Sequence, residues 1–201
     1  METLFKNAFD IDEVISKIKY EIKKLEVITD DNIFTIQNDI FKSYKLYPLG
    51  FDVENAEIKF NKDKPVEENF LRTSNVDYAG DLFFGTIYLS TELIKGTKSL
   101  LFVKPVDFVV NESIKGYAKE TKLYAELQTS IYDVKLLSKE DKDKFTEQKK
   151  VLKEYLVEGM DNIRKEIPDK NIEIEKKILE LLNKKKDELK VEKDLKEFLN
   201  G

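Results

Sequence analysis

The first 45 residues carry apolar side chains at the spacing of an α-helix. From residue 10 to residue 26, apolar positions recur every three or four residues while charged residues occupy the other faces: Ile11, Val14, Ile15, Ile18, Ile22 and Leu25. Asp10 is a suitable N-cap, and Glu13 completes a pattern typical of a capping box. A second helix is predicted over about residues 32–44, with Asp30 and Asp31 as its cap and an apolar face formed by Ile33, Ile36, Ile40 and Phe41.

The middle of the chain, about residues 52–132, changes to the period of a β-strand. Apolar and polar residues alternate from Ala56 to Asn61, which predicts a half-buried strand. Residues 82–89 and 100–110 are rich in β-branched and aromatic side chains, and Pro105 makes the second run an edge strand or two strands across a bend. Residues 114–129 predict a hairpin with Glu120 near its turn. Short spacing without intervening helices favours an antiparallel sheet of four or more strands.

Residues 138–201 return to the helical period. One apolar face precedes Pro168 and a second follows it: Phe145, Leu152, Tyr155, Leu156, Ile163 and Ile167, then Ile174, Ile178, Leu181, Leu182 and Leu189. Because proline removes a helical hydrogen bond, we predict two long helices paired as an antiparallel hairpin. One long helix kinked at Pro168 is the alternative.

These patterns predict an α+β fold with N-terminal helices, a central antiparallel sheet and a C-terminal long helical hairpin. The expected division is an α+β domain over residues 1–134 and a helical hairpin over residues 135–201, packed on that domain or extending from it.

Composition removes most familiar catalytic chemistry. The chain has no cysteine, histidine or tryptophan. It therefore lacks thiolate nucleophiles, imidazole bases and the usual ligands of transition metals. Carboxylates remain, so a hard cation such as Mg²⁺ is still compatible with the composition. We predict no catalytic residue, no metal site and no cofactor, and the dispersed glycines match neither a P-loop nor a dinucleotide motif.

One triplet keeps an enzymatic alternative open. Glu57-Ile58-Lys59 has the E-x-K pattern of metal-dependent nucleases, in which carboxylates hold Mg²⁺ and lysine stabilises charge. The upstream acid Asp52 is only five residues away, which leaves little room for a separate strand, whereas Asp77 and Asp81 have no strand-borne E-x-K after them. Chance explains the triplet better in a chain that is 37% charged.

Two further groups of residues have ordinary explanations. Lys184, Lys185 and Lys186 resemble a phosphate-binding cluster, but the interleaved acids favour a solvated helix face with pairs such as Glu180–Lys184. Several middle-zone aromatics resemble a base-stacking platform, but core packing is the simpler interpretation: Tyr78, Phe83, Phe84, Tyr88, Phe102 and Phe108. The acidic net charge of −5 argues against nucleic-acid binding by the whole chain but leaves a local patch open.

The C-terminal third carries a family resemblance. A long helix from Phe145 to Ile167, a break containing Asn171, and the segment ILELLNKKKDELK followed by Leu199-Asn200-Gly201 stand behind a strand-rich middle and two N-terminal helices. This arrangement resembles the N-terminal module that precedes effector domains in bacterial anti-phage defence proteins. The resemblance implies that a nuclease or signalling domain follows in a longer protein, and it carries over no functional residue.

We therefore expect a non-catalytic binding or assembly module of a bacterial defence system. The alternatives are a carboxylate-dependent phosphodiesterase and a small phage- or plasmid-encoded inhibitor of a host enzyme. The expected partners are a protein, a second copy or a downstream effector domain, without a membrane. The N-terminus lacks a signal-peptide pattern and no apolar stretch is long enough to span a bilayer, so the expected location is the cytoplasm. The predicted interaction patch is Leu195, Phe198 and Leu199, which lie off both apolar stripes.

Overall fold

The computed structural model describes residues 1–52, 55–65, 83–94, 96–131 and 139–200. Its elements, in chain order, are β1 (Glu2–Thr3), α1 (Ile11–Lys23), α2 (Ile33–Tyr44), β2 (Gly50–Phe51), β3 (Glu57–Pro65), β4 (Phe83–Ile94), a 3-10 helix (Lys98–Phe102), β5 (Lys115–Lys119), β6 (Lys122–Ile131) and α3 (Lys139–Asn200). The predicted α+β class with N-terminal helices and an antiparallel sheet is confirmed.

The chain forms two compact units, each built from two separate segments. The first combines Met1–Asn7 with Pro48–Ile163, and the second combines Ala8–Tyr47 with Arg164–Gly201. This division differs from the one expected from the sequence, whose boundary at residues 134 and 135 lies outside the described residues.

The first unit contains the sheet. Its strands follow the order β1-β5-β6-β4-β2, with β3 also paired to β4, and each of these pairings is antiparallel. The predicted strand that starts near Ala56 is confirmed as β3. The predicted hairpin is confirmed as β5–β6, and Glu120 in its turn has a left-handed φ of 53°.

The predicted strand over residues 100–110 is wrong. The chain instead forms the 3-10 helix Lys98–Phe102, and Val103 makes an isolated parallel bridge to Asn7. Leu100 and Leu101 are both fully buried. Two consecutive buried side chains do not fit a strand with one buried face, but they fit a helical turn.

The core of the first unit surrounds Phe5. Its ring packs edge-on against Phe108, with centroids 5.5 Å apart, and lies 5.6 Å from the ring of Tyr155 on α3. The Tyr155 hydroxyl donates a hydrogen bond to the Leu4 carbonyl at 3.2 Å and accepts one from the Asn111 N–H at 3.2 Å. These contacts attach the first half of α3 to the strand-bearing segments.

The second unit contains three helical segments. Asp10 caps α1 as predicted, because its Oδ1 accepts a hydrogen bond from the Glu13 N–H at 2.9 Å. The predicted cap of α2 is wrong: Asn32 is the N-cap residue, and Asp30 pairs with Lys186 on α3. The buried apolar residues of the three segments are Ile18, Ile22, Ile33, Ile40, Ile167, Ile174, Ile178 and Leu182.

The predicted C-terminal helical hairpin is wrong, because α3 is one helix of 62 residues with Pro168 inside it. Buried positions continue at three- and four-residue steps across the proline: Ile163, Ile167, Asn171 and Ile174. An interior proline costs a helix about 3 kcal/mol, and burial of a single large apolar side chain contributes about 1.5–3 kcal/mol. Burial on both sides of Pro168 therefore outweighs the local penalty.

Candidate functional site

The last turns of α3 present an apolar stripe to solvent. Every residue from 191 to 200 is exposed. The stripe comprises Val191, Leu195, Phe198 and Leu199, whose exposed fractions are 66%, 56%, 82% and 71%. Since a helix turns about 100° per residue, these four side chains lie within an arc of about 100°. The three residues predicted as an interaction patch thus share one exposed surface, and their binding role stays a prediction.

The stripe lies away from the side on which α3 packs within the second unit. Leu182 is fully buried, and Leu189, two turns later, is half-buried on the same side. Phe198 follows Leu189 by nine residues, which places the two side chains about 180° apart. The residues that cover Leu182 and Leu189 therefore do not cover the stripe.

Charges around the stripe are segregated by sign. Its edges carry four acids: Asp187, Glu188, Glu192 and Asp194. The lysines of the same turns, Lys190, Lys193 and Lys196, lie more than about 100° from the centre of the stripe. Lys184 stands at its amino-terminal end, where a shallow depression of about 470 Å³ is lined by Lys184, Asp187, Glu188, Val191 and Glu192. The stripe is thus apolar with acidic edges.

A groove of about 930 Å³ runs along the opposite side of the same helix end. One wall is the segment Glu26–Asp30, which follows α1, and the other is α3 from Lys186 to Asn200. Its apolar lining comes from Val27, which is 65% exposed, together with Ile28 and Leu189.

An ion pair joins the two walls of the groove. Lys186 Nζ lies 2.7 Å from Asp30 Oδ1. This hydrogen bond and charge hold the pKa of the Asp30 carboxyl below its usual value and raise the pKa of the Lys186 ammonium. Lys186 thus pairs with a carboxylate of the loop that follows α1.

Of the residues considered for metal-dependent catalysis, the structure describes Asp52, Glu57 and Lys59. Glu57 and Lys59 lie on β3, opposite Ser90 and Tyr88 of β4. Asp52 accepts hydrogen bonds from Asn55, and Asp77 and Asp81 lie outside the described residues. In the described ranges, no group of three or more carboxylates could hold a metal ion.

Among the aromatic residues considered as a base-stacking platform, Phe108 has a described contact in the core. Phe108 is buried, and its ring centroid lies 5.0 Å from that of Tyr155, as expected for a core residue. Tyr78 lies outside the described residues. Glu180 pairs with Lys177 at 2.9 Å, whereas the sequence suggested Lys184 as its partner.

Val191 and the groove were not predicted from the sequence. Val191 precedes Leu195 by four residues, so the helical spacing was available as a signal for its place in the stripe. The groove had no such signal, because its walls are more than 150 positions apart along the chain and meet only in the folded unit.

Comparisons with family models, with curated proteins and with solved structures gave no match to this chain. Among the helices within the described ranges, none has an apolar stretch long enough to cross a membrane.

Proposed function

We propose that this chain is a non-catalytic binding or assembly module that makes its contacts through the stripe Val191, Leu195, Phe198 and Leu199. The observation that carries the proposal is the exposure of four large apolar side chains on one side of the same helix end. Contiguous exposed apolar surfaces mark interaction sites more often than scattered single residues do.

Energetics support a role in association. Covering a large apolar side chain contributes about 1.5–3 kcal/mol, so Leu195 and Phe198 together supply several kcal/mol to a complex. Phe198 is also an aromatic anchor of the kind enriched at the centres of interfaces. The helical backbone already holds the four side chains in one surface, which lowers the ordering cost of binding.

Sedimentation velocity over a wide concentration range tests the proposal. We expect the wild type to associate as its concentration rises, and a Leu195→Glu, Phe198→Glu variant to stay monomeric with an unchanged melting temperature. A Gln148→Glu, Asn183→Glu variant is the matched control, because it adds the same two negative charges at exposed positions of α3 outside the stripe.

Two results would overturn the proposal. One is a wild type that stays monomeric at every concentration while the stripe variant loses thermal stability, since the stripe would then pack within its own chain. The other is association that persists unchanged in the stripe variant.

We further propose that the module belongs to a cytoplasmic bacterial defence system, on the basis of the order of its elements: two N-terminal helices, a strand-rich middle and a long C-terminal helix. The break at Asn171 that the resemblance included is absent, because α3 is continuous there. Deleting the gene from its host should increase plaque formation by at least one phage, and a copy carrying the stripe substitutions should fail to restore protection. If that copy restores protection, the stripe is not needed for defence.

The alternatives differ in their support. No arrangement of described carboxylates favours the phosphodiesterase. The inhibitor shares the acidic-edged stripe with the leading proposal, and it predicts that the purified chain stays monomeric until its target enzyme is added.

A further inference from the structure

The stripe continues along α3 toward the start of α1. A depression of about 390 Å³ lies between these two helices of the second unit, and its apolar lining is half-buried: Ile11, Ile15 and Leu181. Lys184 lines both this depression and the one of about 470 Å³ at the amino-terminal end of the stripe. The two depressions and the stripe therefore adjoin one another along one side of α3, and we call them together the track.

The track has the length and the spacing of a surface that binds a helix. It extends from Leu181 to Leu199, a rise of about 27 Å along the axis of α3. Its apolar side chains fall at heptad spacing, as in helices that pack side by side: Leu181, Val191, Leu195 and Phe198. Lys184 and Glu188 occupy the two remaining positions of the same heptad pattern. An amphipathic helix laid along the track would thus meet apolar side chains toward both ends and a polar pair between them.

Acids outnumber lysines along the track. Six carboxylates line its two depressions, against Lys177 and Lys184: Asp12, Glu173, Glu180, Asp187, Glu188 and Glu192. Asp194 adds a seventh at the edge of the stripe. Lys176 and Lys185 are the next lysines around α3, about 90° from the centre of the stripe, and counting them still leaves the acids in excess.

The electrostatics at Lys177 reflect this excess. Its ammonium pairs with Glu180 at 2.9 Å, which raises the pKa of Lys177, and the charges of Glu173 and Asp12 raise it further. One lysine thus stands among three carboxylates at the α1 end of the track. A cation brought to this end would meet carboxylates that are only partly neutralised.

A second copy can cover the track with its own track only by bringing acids against acids. Like charges brought together at an interface oppose binding and exclude wrong partners. Self-association through the stripe should therefore require high concentration. A helix with apolar residues along one side and lysine or arginine beside them complements both the apolar centre of the track and its acidic edges.

We propose that the track binds a basic amphipathic helix of another protein. This proposal rests on the proposed function and specifies the chemistry of the partner. The apolar side of the incoming helix covers Val191, Leu195 and Phe198, and its lysines or arginines pair with the carboxylates on either side of them. Burial of the apolar side chains supplies most of the affinity, and the charge pairs exclude acidic partners.

Two helical peptides of about 18 residues, the length of the track, test the proposal against the full chain. Both carry leucine at the heptad a and d positions; one has lysine at the flanking e and g positions, and the other has glutamate there. Fluorescence anisotropy of each labelled peptide, kept below the concentration at which it self-associates, measures its affinity. We expect the lysine peptide to bind the wild type at least about tenfold more tightly than the glutamate peptide, since several charge pairs form at the edges.

Two full-length variants locate the binding site. The stripe variant Leu195→Glu, Phe198→Glu adds two negative charges, so a general attraction of the lysine peptide to an acidic chain would increase. We expect its affinity for that peptide to fall at least about tenfold instead, because the apolar contacts are lost. An edge variant keeps the stripe but removes four carboxylates, so it should lose most of the preference for the lysine peptide: Asp187→Asn, Glu188→Gln, Glu192→Gln, Asp194→Asn.

A matched control variant makes the same change in net charge at exposed positions of α3 outside the track: Asp143→Asn, Glu147→Gln, Glu154→Gln, Asp169→Asn. We expect this control to keep the preference of the wild type for the lysine peptide. Equal losses in the edge variant and the control would mean that net charge, and not the track, selects the peptide. Circular dichroism and melting temperatures equal to those of the wild type establish that all three variants fold.

Salt provides a second readout. Raising sodium chloride from about 0.01 M to about 0.1 M shortens the distance over which exposed charges interact from about 30 Å to about 10 Å. Over this range, binding of the lysine peptide should weaken and binding of the glutamate peptide should strengthen. Changes in the opposite direction would contradict charge pairing at the edges of the track.

Failure of this proposal can be told apart from failure of the proposed function. If the wild type binds both peptides alike, or the lysine peptide binds the stripe variant as well as the wild type, a basic helix is not the occupant of the track. Self-association that is lost in the stripe variant would still support the proposed function in either case. If neither peptide binds and the wild type self-associates through the stripe, a second copy is the occupant and this proposal is wrong. If neither peptide binds and association persists in the stripe variant, the two proposals fail together.

Discussion

The side chain of Asn171 binds both backbone polar groups of Leu46. Its Oδ1 accepts a hydrogen bond from the Leu46 N–H at 2.8 Å, and its Nδ2 donates one to the Leu46 carbonyl at 3.0 Å. Both residues are buried. The Asn171 side chain lies in the middle of α3 and supplies hydrogen-bond partners for the N–H and the carbonyl of Leu46. Leu46 follows the end of α2, where the backbone is no longer helical.

Replacing Asn171 should destabilise the second unit strongly. In Asn171→Ala the N–H and the carbonyl of Leu46 both lose their partner, and each buried unsatisfied group costs about 1–3 kcal/mol. We expect a loss of at least about 2 kcal/mol in urea unfolding. Asn183→Ala is the control: Asn183 bonds only to the Leu179 carbonyl on an exposed face, so its loss should cost less than about 0.5 kcal/mol. Equal effects of the two changes would contradict the assigned role.

A methyl group at Gly159 should destabilise the first unit, although alanine favours helices. A Cβ at this position would lie 2.6 Å from Cδ2 and 2.8 Å from Cζ of Phe5, which is fully buried. Overpacking of this kind costs about 1–3 kcal/mol, which exceeds the helix-propensity gain of about 1 kcal/mol.

The clash with Phe5 and the gain in helix propensity at Gly159 can be separated in a double-mutant cycle. Phe5→Leu should be destabilising alone because it removes ring contacts with Phe108 and Tyr155. The combined variant should be more stable than the sum of the two single losses predicts, because the smaller side chain makes room for the methyl group. Strict additivity would show that the clash relaxes elsewhere.

Removing the proline from α3 should stabilise the protein. Pro168 is exposed, and an alanine there restores one helical N–H and relieves a ring clash. We expect Pro168→Ala to raise the melting temperature, with an upper limit of about 3 kcal/mol in stability. Asp169→Ala, an exposed neighbour, measures the effect of helix propensity alone. A lower melting temperature for Pro168→Ala than for wild type would mean that native packing depends on the irregularity at the proline.

Stability should fall at alkaline pH partly through Tyr155. Burial raises the pKa of its hydroxyl above the usual value of 10.0, and the nearby carboxylates of Glu112 and Glu158 act in the same direction. Because the folded-state pKa lies above the unfolded one, the contribution of this group is complete below about pH 10 and is lost as pH rises through the folded value.

The phenylalanine variant isolates this contribution. At neutral pH, Tyr155→Phe should cost about 1–2 kcal/mol, because the hydrogen bonds to Asn111 and Leu4 disappear. Between pH 9 and 12 the stability of the wild type should decline more steeply than that of the variant, so that the two unfolding curves converge. Parallel decline of the two proteins would exclude ionisation of Tyr155 as a cause.

The sequence by itself determined the features that depend on neighbouring residues. The cap of α1 at Asp10, the strand β3 after Ala56 and the hairpin with Glu120 in its turn each follow from side chains within a few positions of one another. Helical spacing alone also shows that Leu195, Phe198 and Leu199 lie off the packing stripe, and their binding role stays a prediction.

Three features were decided only by the tertiary structure: the continuity of α3, the two hydrogen bonds between Asn171 and Leu46, and the groove beside Lys186. The missing N–H of Pro168 favours a break in the helix. Buried side chains recur at helical spacing on both sides of the proline, and their burial keeps α3 continuous: Ile163, Ile167, Asn171 and Ile174. The partners of Asn171 and Lys186 are 125 and 156 positions away. Such contacts form only when distant segments pack together, so the partner of each residue cannot be identified from sequence periodicity. The free energy of that packing can also exceed a local preference of a few kcal/mol.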